Sequence, residues 1–277
     1  IEDLLKGIII QSGNDASIAL AECLSGTESD FATLMNVYGK KLGMENTNFI
    51  NASGWPEENH YSTVHDLAIL SIALIRNFPN LYTYFTLKEF TYNDITQPNR
   101  NKLLEKVQGT DGLKTGYTRK SGWGISASTL RDNRRINIVI NGTNSSRSRL
   151  NESSYLINWA FAQTSQKKLI SKGQIIKNVD VWLGNKSTVN LISNQEIISI
   201  LSFDQLQLLE TNIEYTKPIA APFKKGDKLG QMTINVPGKK PIVIPLVAEI
   251  DVDKINPFAR IFAGIKYLVF GTSLDEL

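Results

Sequence analysis

Residues 6–22 read "KGIIIQSGNDASIALAE", an apolar run that breaks at Ser12-Gly13-Asn14 and then resumes. Apolar residues recur at helical spacing on both sides, over 3–11 and at Ala16, Ala19, Leu20 and Cys23 within 15–25, which predicts two helices. Asn14 or Asp15 is available to cap the second, and Gly26 to end it. The small polar triplet is therefore expected to be a joint between helices.

Working outward, a third helix is expected from about Asp30, with Phe31, Leu34, Met35, Tyr38 and Leu42 on one stripe and Gly43 at its end. A fourth, "STVHDLAILSIALIRNFP" (62–79), opens on a capping box of Ser62 or Thr63 with Asp66 and stops before Pro79. After residue 85 the period falls to two. "TLKEFTYN" (86–93), "GLKTGYT" (112–118), "GWGISASTL" (122–130) and "RRINIVING" (134–142) read as strands, the last pair joined at Arg131-Asp132-Asn133-Arg134. A helical segment, "RLNESSYLINWAFAQ" (149–163), closes this part. The order predicts an α+β domain, a helical cluster on an antiparallel sheet, over residues 1–165.

From 166 to 254 short strand-like runs alternate with Gly, Pro, Asn and Lys, as expected of a small β-sandwich-like, all-β domain; "PFKKGDKLG" (222–230) is a tight turn within it. The segment 255–277 repeats apolar residues at 258, 261, 262, 265, 268 and 269 behind Pro257. It is expected to be an amphipathic helix, docked on its own domain or lying in a membrane surface.

The formal net charge is +3 and charged residues are 21% of the chain, with Lys and Arg scattered, so nothing calls for a nucleic-acid partner. Cys23 is the only cysteine, which excludes an internal disulfide; its place in "ASIALAECL" predicts a core position. His60 and His65 have no acidic or cysteine cluster at ligand spacing, so neither metal nor cofactor is expected. Ile1 already lies inside an amphipathic segment, and the chain reads as one whose start is missing. No apolar stretch reaches the roughly 18 residues needed to span a bilayer, so membrane contact is expected to be peripheral.

Two tripeptides carry the chemistry: Ser12-Gly13-Asn14 and, about a hundred residues on, Lys114-Thr115-Gly116 in "TDGLKTGYT". Either alone is a common turn or strand edge. In this order, with "DGLKTGYTRKSGW", "QPNRNKLL" and a following β-domain, the chain resembles the D-alanyl-D-alanine carboxypeptidases among the low-molecular-mass penicillin-binding proteins, whose superfamily carries S-x-x-K, S-x-N and K-T-G motifs. The resemblance implies the penicillin-binding fold and a β-lactam-inhibited hydrolase that removes the terminal D-alanine of peptidoglycan stem pentapeptides through a serine acyl-enzyme. It also implies a site at the periplasmic face of the cytoplasmic membrane, with peripheral attachment.

By the same resemblance Ser12 and Lys114 form a proton-shuttling pair, and Asn14 braces the reacting groups with its amide. Gly116 leaves the strand bare so that a peptide can add along it, its carbonyl meeting the backbone N–H of Tyr117. Tyr117 stands where some relatives have His. Thr115 and Arg149 are candidates to hold the substrate carboxylate, with Arg147 a rival, and Arg100 matches another arginine near the cleft. The acylated serine of S-x-x-K would precede Ser12, and only eleven residues do. The one such string, Ser165-Gln166-Lys167-Lys168, comes after both other motifs and is expected to be a decoy. The polypeptide alone is therefore expected to be inactive. The alternative is a non-catalytic wall- or protein-binding module on the same fold. A β-lactamase fits less well, since no E-x-x-L-N string is present.

Overall fold

The computed structural model describes residues 1–257, in two units: Ile1–Ala162 and the chain from Gln163 onward. In the first, Glu2–Lys6 (α1) runs into a π-helical stretch, Gly7–Gln11, that ends where Ser12 turns left-handed at φ 56°, ψ 43°. Extended Gly13 then starts α2, Asn14–Ser25. The joint forms where the sequence predicts it, but neither expected cap is used. Asn14 is already helical, and the Asp15 carboxylate accepts only the adjacent Ala16 amide at 2.8 Å.

Helix α3, Glu28–Leu42, starts two residues earlier than its stripe suggests, because Thr27 accepts the Asp30 amide and takes the cap; it ends on left-handed Gly43. In α4, Val64–Asn77, Thr63 rather than Ser62 is the cap. Asp66 is buried, and its carboxylate takes the Asn46 amide (2.8 Å) and the Thr47 hydroxyl (2.7 Å), bonds that hold its pKa below the usual carboxylate range. Cys23 departs from expectation and is exposed. The buried residue of α2 is Ala21, and a residue two positions on lies about 200° round the helix, facing away from the packing side.

A short α5, Pro79–Tyr82, and a 3-10 turn, Thr83–Thr86, lead to a hairpin of β1, Glu89–Tyr92, and β2, Ile95–Pro98. Asn93 and Asp94, both at positive φ, form its two-residue turn. After α6, Leu103–Lys106, the strands β3, Thr110–Thr118, β4, Gly122–Arg131, and β5, Arg134–Thr143, form an antiparallel sheet, followed by α7, Ser146–Gln163. The expected turn between β4 and β5 is Asp132-Asn133, again both at positive φ.

Alternation along β3 gives the sheet two distinct faces. Lys114 pairs with Ser126, whose hydroxyl meets that of Ser71 on α4 at 2.6 Å, so this face looks toward the helical cluster. Thr115 pairs with Ile125, which packs with Leu103, Val107, Ala127, Ile138 and Ile157 against α6 and α7. Complete burial of a side chain such as Ile157 stabilises by about 1.5–3 kcal/mol.

The root of β3 is clasped by polar groups. The Tyr82 hydroxyl donates to Asp111 Oδ1 at 2.6 Å; Arg135 Nη1 donates to the same oxygen at 2.7 Å and to Ser128 Oγ at 2.6 Å. The Arg135 guanidinium also lies 5.4 Å from the Tyr82 ring centroid. Burial, reinforced by the bond to Asp111, pushes the Tyr82 phenol well above its ordinary pKa. A Cβ at Gly112 would come within 2.6 Å of the Tyr82 hydroxyl, so this approach needs glycine.

The second unit opens with β6, Thr164–Ile170, and continues through β7, Ile175–Trp182, β8, Thr188–Ser193, and β9, Ile197–Ser202. Helix α8, Phe203–Gln207, follows on a complete Ser202/Gln205 capping box. Then come β10, Glu210–Tyr215, β11, Ile219–Ala220, β12, Lys228–Asn235, and β13, Ile242–Ala248. Six strands pair in the order β10-β12-β13-β8-β7-β11, and β6 pairs with β9. Both sheets feed one core that includes Ile170, Leu191, Leu201, Ile244, Leu246 and Val252. The expected turn forms at 224–227, where Asp227 accepts the Lys224 amide at 2.7 Å and Gly226 has φ 92°. The amphipathic helix expected over 255–277 falls, beyond Pro257, outside the described residues. Among the described residues no helix is long and apolar enough to cross a membrane.

Candidate active site

Ser12 and Lys114, 102 positions apart in the chain, meet: Lys114 Nζ donates to Ser12 Oγ, and also to the Thr115 carbonyl at 2.9 Å. The left-handed turn at Ser12 is fixed on both sides. The Ser12 amide donates to Ile8 O and the Gly13 amide to Gly7 O, each at 3.1 Å. Holding a non-glycine residue there costs on the order of 1 kcal/mol, which the surrounding bonds offset.

The Lys114 ammonium has its pKa lowered to about 8, first by burial and then by the positive charges of Arg100 and Arg149. At pH 7 roughly a tenth of the molecules then carry the free amine. A lysine so poised can give a proton to, or take one from, the hydroxyl it touches.

Asn14 stands at the start of α2, exposed, and makes no side-chain hydrogen bond among the described residues. The segment bearing Arg100 is tied to the π-helical stretch, since the Arg100 amide donates to Ile10 O (3.4 Å) and Gln11 Nε2 to Pro98 O (3.1 Å). At Gly116 a Cβ would meet nothing within 4 Å, so the strand surface is open there. Tyr117 is 54% exposed and rests on Trp123, ring centroids 4.4 Å apart.

Of the two candidate arginines, Arg149 is the one folded in. It is 7% exposed, reaches Gly124 O (3.4 Å), Gly116 O (3.5 Å) and Ser146 Oγ (3.5 Å), and lies 5.3 Å from the Trp123 ring centroid. Burial lowers its pKa. Arg147 is exposed, on the lining of the same cavity of about 320 Å³, with Thr115, Arg149 and Asn101. K-T-G thus addresses two places: Lys114 turns to Ser12, and Thr115 to the cavity of Arg149.

Ser165 and Lys168 lie on β6. Three positions apart on a strand, they point to opposite faces, and Lys168 is paired with Glu196 at 2.6 Å. His60 Nδ1 accepts the Ile50 amide at 3.3 Å with its ring edge-on to Phe49, and burial lowers its pKa; His65 is exposed beside Asp66.

Sequence reasoning missed three features of the site. Asp111 precedes the motif by three residues and signals only as an acid at the head of a strand. The Ser71/Ser126 contact has no local signal, because the two belong to different elements. Asn101, in "NRN", looks like any turn residue.

Comparison with known proteins identifies the family and the fold. A family model described as D-alanyl-D-alanine carboxypeptidase matches residues 1–145, and one for the C-terminal domain of penicillin-binding protein 5 matches residues 165–254. The D-alanyl-D-alanine carboxypeptidase DacC of Escherichia coli is 38% identical over 264 residues, covering 95% of this chain; the chain spans 66% of that relative's length. Penicillin-binding protein 5 from Haemophilus influenzae superposes with a TM-score of 0.71 at 34% identity, over 91% of this chain and 74% of that one. Penicillin-binding protein D2 from Listeria monocytogenes in its ampicillin-bound form matches at 31% identity and a TM-score of 0.54, over 58% of this chain and 67% of that one. With both motifs brought together at the edge of one sheet, and both units matched, the chain belongs to the D-alanyl-D-alanine carboxypeptidase family of penicillin-binding proteins.

Proposed function

We propose that the cleft takes the D-alanyl-D-alanine end of a peptidoglycan stem peptide and serves its hydrolysis through a serine acyl-enzyme that β-lactams trap. The Lys114–Ser12 contact carries this reading. A proton released when the acylated serine attacks can pass through the Ser12 hydroxyl and Lys114 to the departing amine, without a free ion entering solvent. Asn14 presents an uncommitted amide to the substrate. The exposed stretch at Gly116 and Tyr117 accepts the peptide backbone, and Thr115 with Arg149 receives the terminal carboxylate. Arg100 adds positive charge near Lys114, which together with the larger effect of burial keeps its pKa low. That a relative was solved with ampicillin bound supports the β-lactam part.

No S-x-x-K precedes Ser12 within residues 1–277, so the covalent step has no nucleophile in this polypeptide. A fluorescent penicillin is expected to leave it unlabelled, and to label a form extended ahead of Ile1 by a segment carrying that motif. A label on Ser12 or Ser165 of the unextended polypeptide would overturn the reading.

The substrate places the protein at the periplasmic face of the cytoplasmic membrane, held peripherally by segment 255–277. With anionic liposomes the polypeptide is expected to float and one ending at residue 254 to sediment. Equal flotation of the two would remove the anchor from the proposal.

A further inference from the structure

Strand β3 is an edge of its sheet, and past Tyr117 it runs into a turn that carries two cations. Thr118 and Gly122 are the last pair of the β3–β4 ladder, so Arg119, Lys120 and Ser121 form the loop between them. The Thr118 and Ser121 hydroxyls meet at 2.6 Å, and the Ser121 amide donates to Thr118 Oγ1 at 2.9 Å. Gly122, at φ 72°, lies so close to β5 that a Cβ would come within 3.0 Å of the Gly142 Cα. The turn is thus fixed by its hydroxyls and its packing, and the two charged side chains are left over.

Arg119 and Lys120 are both exposed, and among the described residues neither forms an ion pair. Adjacent like charges that no local carboxylate neutralises attract an anion from outside. The course of the strand says where on a ligand that anion belongs. A peptide whose last carboxylate lies at Thr115 and Arg149, and whose penultimate carbonyl meets the Tyr117 amide, runs antiparallel to β3, its upstream part heading for the turn. At about 3.4 Å per residue, the ligand residue before that carbonyl falls opposite Thr118, one position from Arg119.

We propose, resting on the carboxypeptidase reading above, that Arg119 and Lys120 form a subsite for a carboxylate on the side chain of the residue preceding the D-alanyl-D-alanine pair. The Arg119 guanidinium offers a planar fork of donors and the Lys120 ammonium a point charge. Both stay in contact with water, so the subsite ranks peptides by charge and speeds their encounter, and salt weakens it.

The test compares three ligands on the 277-residue polypeptide: the dipeptide D-alanyl-D-alanine, acetyl-L-glutaminyl-D-alanyl-D-alanine and acetyl-L-glutamyl-D-alanyl-D-alanine. The last two differ only in charge. The glutamyl peptide is expected to bind about three- to tenfold tighter than the glutaminyl peptide at low ionic strength, the usual worth of two exposed ion pairs, and to lose that advantage near 1 M salt, where the screening length is about 3 Å. Replacing both cations, Arg119→Gln with Lys120→Gln, is expected to bring the two tripeptides to equal affinity, and Arg119→Glu with Lys120→Glu to reverse their order. Neither change touches the hydroxyls that fix the turn. Equal binding of the two tripeptides to the unsubstituted protein at low salt, or a preference that survives the double glutamine variant, overturns the subsite and leaves the carboxypeptidase reading standing. Binding of none of the three overturns that reading and the subsite with it.

Discussion

Lys114→Met is expected to make the protein more stable at pH 7 by about 1–2 kcal/mol while abolishing the function of the cleft. Folding lowers the Lys114 pKa from its ordinary value to about 8, because the ammonium is taken out of water and placed near two guanidinium groups. Between that value and the unfolded value near 10.4 the unfolded chain holds a proton that the folded chain has released, so stability rises with pH through this window. The full swing is about 3 kcal/mol. Methionine has similar length and no charge, so the variant removes the penalty below pH 8 and flattens the rise above it. Loss of the bonds to Ser12 and to the Thr115 carbonyl offsets part of the gain. Urea denaturation at pH 7 and pH 10 measures both effects. A wild-type stability that falls over this range would refute the argument. In a form carrying the acylated serine, the same substitution is expected to slow acylation by penicillin by about 10²–10⁴, the usual worth of a positioned proton carrier.

Removing Asp111 is expected to have the largest effect on stability. Its one oxygen receives both the Tyr82 hydroxyl and the Arg135 guanidinium, and nothing else described can take its place. In Asp111→Ala a buried phenol and a partly buried cation lose their shared acceptor, although Arg135 keeps Ser128. We expect a loss of about 2–4 kcal/mol, below the figure for a fully buried pair because both partners are about a quarter exposed to water. Asp111→Asn, which keeps an acceptor oxygen and loses the charge, is expected to cost about half as much. Because β3 carries Lys114 and Thr115 three and four positions on, dipeptide binding should weaken in parallel. A loss under about 1 kcal/mol would show that the clasp is a surface pair of little consequence.

The sequence shows most clearly what local chemistry decides. The joint at Ser12-Gly13-Asn14, the cap at Thr63 and the two-residue turn at Asp132-Asn133 each follow from a few neighbouring residues, and each is found. Position 23 shows the limit. Its neighbours have helical period, but which side of α2 is covered depends on α1 and α3, and that side is the one bearing Ala21. Strand β2 escaped notice because its pattern is short and ends in Pro98, although Asn93-Asp94 is a turn signal as good as the one that was used. In the site, the motif residues were legible as words in a family's vocabulary. The groups that clasp the strand bearing them, Asp111 and Arg135, were not, because each gains its meaning only from a residue distant in sequence.

Alternation along β3 has an evolutionary consequence. On the proposed function, position 114 belongs to the surface where protons move and position 115 to the surface where one end of a ligand is chosen, so mutations can be sorted between two nearly independent inventories. On that reading a lineage can revise Arg147 or Tyr117 to accept a different peptide terminus or to exclude a drug, and keep its chemistry. A single-residue insertion between 112 and 115 has no such freedom, since it would exchange the two surfaces in one step.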